Sequence, residues 1–166
     1  MKELLQGRRF GFAPRPHIAH IATGLGIATT VLDLMAWFAW GSDQTNGFVV
    51  AAFWLAIATA VVIAIALLAG LAELADVIPG ERGLARTDVV AAAGALVLYA
   101  VSAVLRSGGL GDPAPQPAPF LLAIAGLLLL LLDGVLAANL YSAREWEELE
   151  EELPRDRRPR GRAATR

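Results

Sequence analysis

Two carboxylates, Asp33 and Asp133, sit deep inside long apolar runs of this 166-residue chain, and two histidines, His17 and His20, stand at the entrance to the first run. A carboxyl group in hydrocarbon has to be protonated, hydrogen-bonded or paired, because a bare charge at mid-membrane costs about 2.5–3.5 kcal/mol on insertion scales. Such a group either ties helices together through a hydrogen bond or takes up and releases a proton during transport. The hydroxyls of Thr29 and Thr30 on the same run, and of Tyr99 and Ser102 on the third, are the expected partners of Asp33. No lysine or arginine is expected at that depth. The favoured reading is a protonated carboxyl hydrogen-bonded across helices, with a proton-titrating carboxyl in a transporter as the alternative.

The histidines suggest metal or haem, but axial ligation across a bundle draws on different helices, and both lie on the first run. One chain therefore does not make a bis-histidine haem site. An interfacial role fits better, with Glu73, Asp76, Arg86 and Asp88 as neighbours on the same side of the membrane. His20 and Asp33 are thirteen residues apart, which turns them about 140° from each other on a helix. No P-loop, G-x-S-x-G, HExxH or glycine-rich dinucleotide turn occurs. The absence of cysteine removes disulfides, iron–sulfur clusters and thiol catalysis. Neither a catalytic residue, nor a metal site, nor a cofactor is expected.

The elements that hold these groups follow from composition. At 56% hydrophobic and 18% charged residues, the chain carries more apolar surface than a soluble core of this size can bury. Crossing a hydrocarbon layer takes about 20 apolar residues, and four blocks qualify, at about 17–40, 48–74, 87–105 and 119–141. None alternates with a period of two, so a barrel is not supported. Gly41 to Gly47 is a polar turn, Asp76 to Arg86 contains the helix-ending Pro79-Gly80, and Ser107 to Pro117 is rich in glycine and proline. Short connections favour antiparallel neighbours. The expected fold is all-α, an integral membrane four-helix bundle running up-down-up-down.

Orientation comes from charge. Thirteen lysines and arginines fall in the N-terminal segment, the second connection and the C-terminal tail, against Arg106 alone on the other side. The positive-inside rule then places both termini in the cytoplasm (N-in/C-in). Trp37, Trp40, Phe48, Phe53 and Trp54 mark the outer boundary, and Tyr141 and Trp146 the inner one. Asp33 falls about 6 Å to the outer side of the midplane, and Asp133 about 4 to 5 Å to the inner side.

The domain plan has a basic N-terminal segment (1–16), the four-helix domain (17–141), an acidic helix (142–153) and a basic, disordered tail (154–166). Ser142-Ala143-Arg144-Glu145 has the form of a capping box, so a new helix is expected to begin there. The tail suits anionic lipid headgroups at about 1 kcal/mol per basic residue, rather than nucleic acid. On the second run, Ala52, Ala56, Ala60 and Ala64 recur every four residues. That stripe is expected to pack within the bundle, or else to form a homodimer seam.

Pro16, His20, Gly24 and Asp33 of Val31-Leu32-Asp33-Leu34 resemble the first helix of a bacterial family of four-helix predicted membrane proteins of unknown function. That helix carries a His-Pro pair, a second His, a glycine and an Asp in a Phe-Asp-Leu-like context. Gly70-Leu71-Ala72-Glu73 is similar to the family's Gly-Leu-x-Asp, and Pro79 with Arg86 to the loop that follows. The resemblance covers roughly residues 15–141 and implies the bacterial cytoplasmic (inner) membrane. Arg15 stands where the family's first His falls, and Ala91 or a neighbour where its third helix often carries another. A cofactor held by those histidines would lack them here. Some members are linked to Rieske-type redox proteins, which implies a redox-accessory role by analogy. The function expected overall is a non-enzymatic structural or accessory subunit of a membrane complex. The alternatives are a small proton-coupled transporter working as a homodimer through Asp33 or Asp133, and a haem-binding redox accessory protein.

Overall fold

The computed structural model describes residues 14–38, 46–75, 80 and 82–152, with side chains from 16 to 139. Four helices carry the fold: α1 (Pro14–Trp37), α2 (Gly47–Leu74), α3 (Arg82–Arg106) and α4 (Pro117–Glu152), with a 3-10 turn at Ser107–Gly109 after α3. Each is long and apolar enough to cross a membrane, and the chain is a multi-pass membrane four-helix bundle. Proline occupies the first position of α1 and α4, where its missing N–H was unpaired in any case. The side chain of Asn46 caps α2, accepting from the backbone N–H of Phe48 at 3.0 Å.

The largest boundary differences from the sequence expectation fall in two places. Arg82 to Arg86, expected in the connection, already belong to α3, since nothing after Pro79-Gly80 breaks a helix. Ser142 to Glu145 lie inside α4, which continues to Glu152 without a new start. A capping box is used only where a preceding helix has ended, and no glycine or proline ends this one. The segment 1–13, the tail 154–166, Trp40 and Asp76 lie outside the described residues.

Each helix packs on its neighbours in sequence and α4 closes on α1, leaving α1 and α3 on a diagonal. The buried positions show how. In α2 Val49, Ala52, Ala56, Thr59, Ile63, Ala66 and Gly70 alternate steps of three and four, with Ala69 buried beside the last of them. The sequence Ala85, Asp88, Ala92, Ala95, Tyr99, Ser102, Arg106 does the same in α3, as do Ala123, Gly126, Leu130, Asp133 and Ala137 in α4. This 3.5-residue period is the coiled-coil seam of many helix bundles. The every-fourth-residue alanine stripe is therefore not the seam: Ala60 and Ala64 are only half-buried, because a strict spacing of four drifts off a 3.6-residue helix.

The interior is small and the exterior is large. Among the described residues fourteen of the eighteen buried hydrophobics are alanine, while Leu68, Val90, Val104, Leu121, Leu128 and Val135 point outward. A water-soluble bundle would reverse this. Tyr99 is the large exception inside: fully buried, it reaches between two glycines of other helices. A Cβ on Gly126 would lie 2.8 Å from its ring, and one on Gly26 would lie 2.5 Å from its hydroxyl oxygen.

The wedge makes glycine substitutions diverge. Gly126→Ala is expected to lower stability by about 1–3 kcal/mol, as overpacking against a rigid ring does. Gly24→Ala, with nothing within 4 Å of the new methyl, is expected to hold stability or raise it by up to about 1 kcal/mol. Thermal unfolding in detergent compares them, and equal midpoints would show that Tyr99 is not wedged.

Candidate functional site

Parallel packing of α1 and α3 across the diagonal follows from two contacts with one offset. Gly26 meets Tyr99, and Asp33 meets Arg106, one heptad further along both helices. Side chains on a helix lean toward its N-terminus, so an arginine on the last residue of α3 reaches back into the bundle rather than out to solvent. Asp33 sits at the matching level on α1 and faces inward.

The result is a buried ion pair in fork geometry. Arg106 Nη1 donates to Asp33 Oδ1 at 2.6 Å, and Nη2 to Oδ2 at 2.5 Å. Its Nε donates to Ser102 Oγ at 3.2 Å, and Ser102 Oγ in turn donates to the Pro119 carbonyl at 2.7 Å. Both charged side chains are shut from the surface, at 3% and 0% exposure. Four elements of hydrogen bonding thus join α1, α3 and the first turn of α4. Two planar groups locked in parallel are the strong form of such a pair.

This overturns two expectations. Asp33 does pair with a cation at its depth, and its partners are not the hydroxyls named for it. Thr29 bonds the carbonyl of Leu25 at 2.9 Å and Thr30 that of Gly26 at 3.1 Å, each on its own helix. The Tyr99 hydroxyl finds no hydrogen-bond partner among the described residues. Ser102 is present, but it serves Arg106. A signal for Arg106 was in the sequence: Tyr99, Ser102, Arg106 repeats the three-four spacing of Gly26, Thr29, Asp33. It was also the single basic residue on the side otherwise without any.

The Arg106 end is closed by a second polar contact that sequence reading passed over. Asn46, 1% exposed, donates from Nδ2 to the Pro113 carbonyl at 2.9 Å while it caps α2. The start of α2 is thereby tied to the loop between α3 and α4. Trp37 packs on Phe120 at 5.1 Å between ring centres, closing α1 against α4 at the same level.

The remaining candidates are not gathered into one place. Asp133 is buried on α4 as expected, and Asp88 is fully buried on α3. Gly126 against Leu98 and Gly94 against Leu129 fix the α3–α4 register, which sets Asp133 level with about residue 91, one turn from Asp88. His17, His20 and Arg86 are exposed, and Glu73 is half-buried. The histidines occupy the outward face of α1, away from the bundle core. Among the described residues no three of His, Cys, Asp or Glu stand together as a metal site.

Removing one member of the pair should leave a buried, uncompensated charge. Arg106→Leu and Asp33→Leu are each expected to cost about 3–5 kcal/mol, and the double variant to recover most of that loss. Unfolding of the four proteins in detergent makes this a double-mutant cycle; additive losses would mean the two side chains act independently.

No family model, curated protein or solved structure matches this chain.

Proposed function

We propose that this chain is a multi-pass protein of the bacterial cytoplasmic membrane, a non-enzymatic structural or accessory subunit of a membrane complex. It crosses the bilayer up-down-up-down with both termini inside. The observation that carries this reading is the closure of the Asp33–Arg106 pair. A carboxylate gripped by a guanidinium, sealed from the surface and built into the contact between helices, serves to hold helices. A proton carrier needs a group that alternates between two aqueous sides. Burial of Arg106 also sharpens the charge argument for orientation: the only basic residue on the outer side is consumed inside the bundle. The outward Leu and Val side chains supply lipid contact, and the basic tail supplies contact with anionic headgroups.

A transport reading draws its support from elsewhere in the core. Asp133 and Asp88 are buried on the seam about one turn apart in depth, and carboxylates at such depth are the usual proton carriers of pumps and transporters. On this reading Asp133 is the titrating group and Asp33 the structural one.

Two measurements separate the readings. Purification from native membranes after mild cross-linking is expected to recover the protein with a fixed partner. In reconstituted vesicles, Asp133→Asn is expected to leave pH-driven flux at the background of protein-free vesicles, as is the unmodified chain. Flux in the unmodified chain that Asp133→Asn abolishes, with folding intact, would replace the accessory reading with transport. Labelling of single cysteines at Gly111 and near the C-terminus tests the orientation; reagent confined to the outside is expected to reach Gly111 alone.

A further inference from the structure

At the Arg106 end the bundle holds a cavity of about 10 Å³ whose wall is formed by Val49, Arg106, Gly109, Pro115, Gln116 and Pro119. That is room for about one water, which also needs two to four polar partners. Arg106, Gln116 and Gly109 are the wall residues with polar groups to offer it. A guanidinium carries five N–H donors. Asp33 takes two, Ser102 takes one, and the Pro119 carbonyl lies at 3.5 Å, the limit of a hydrogen bond, from Nη2. Among the described residues the second N–H of Nη1 is left to be satisfied, and an unmet donor on a buried charge is costly.

We propose that this cavity is a single-water site that completes the hydrogen bonding of Arg106 and hydrates the ion pair from one end of the bundle only. An anion is the poorer occupant, because Asp33 already neutralises the guanidinium and Asp112 is nearby, accepting from Gln116 Nε2 at 3.2 Å. An apolar occupant would leave the donor unmet. On the other side of the pair the core is closed by Tyr99, seated between Gly26 and Gly126, with Ala22, Ala95 and Ala123 packed around it. A water here would meet Arg106, while Asp33, which does not line the cavity, stays sealed behind it. This inference rests on the cavity and the guanidinium alone, and it holds whichever way the chain crosses the membrane.

The test uses the full chain, labelled with nitrogen-15 arginine and placed in lipid nanodiscs, with Arg106 assigned by the signals lost in Arg106→Lys. Cross-relaxation between water and the Arg106 N–H protons is the readout. A water cross-peak is expected in the unmodified protein, lost in Val49→Phe, which fills the cavity, and retained in Val90→Phe, whose side chain is 69% exposed on the outer face. Absence of the peak in the unmodified protein, or its persistence in a folded Val49→Phe, would overturn the proposal. If Val49→Phe does not fold, Gln116→Leu at the exposed rim decides the matter: a lost peak supports the site and an unchanged one refutes it.

Discussion

Lipid tails are as apolar as leucine, so helices in a bilayer gain nothing by hiding large side chains from their solvent. What remains to hold them is close contact between backbones and the few polar groups that cannot be left in hydrocarbon. Both forces are visible here in one seam. Alanine and glycine hold about half of the three-four positions, letting the backbones approach, and most leucines and valines turn outward. Alanine contacts are interchangeable, however, and a helix with alanine at every seam position slides past its neighbour at little cost. Register has to come from something with a shape, and in this bundle two features supply it.

One is steric. Tyr99 fills the space that Gly26 and Gly126 leave, so α1, α3 and α4 fit together at one level and clash at others. The other is electrostatic. A fork-shaped pair such as Asp33–Arg106 tolerates little displacement before a desolvated charge loses its partner. The two lie one heptad apart on the same pair of helices, and they enforce the same offset. Their agreement gives α1 and α3 a fixed relation even though these helices lie on the diagonal, where backbone contact is least.

The polar groups of the core differ in how they meet their needs, and that difference sorts their roles. Thr29, Thr30 and Thr59 satisfy themselves on their own helices, so they cost little and tie nothing together. Ser102 and Asn46 work between elements. Ser102 bridges Arg106 to the start of α4, and Asn46 bridges the start of α2 to the loop after α3. Both are at the Arg106 end. The buried carboxylates Asp88 and Asp133 belong to the other half, away from the ion pair.

Much of this was legible in the chain alone. Four apolar blocks of membrane-spanning length, separated by glycine, proline and polar residues, determined the number of helices and their surroundings. Hydropathy and turn chemistry are local properties and need no neighbour to be read. The inward direction of Asp33 and Asp133 was legible too, since a carboxylate cannot face lipid. The partner of Asp33 was not. Counting loops by charge assigned Arg106 to the water outside, because position in sequence does not reveal that a side chain at a helix end leans back along the helix. Nor did the spacing of alanines by four reveal a seam with steps of three and four, which arises only when four helices wrap around one another. The tertiary structure decided pairing, register and access to the ion pair, because each depends on the level at which distant segments meet.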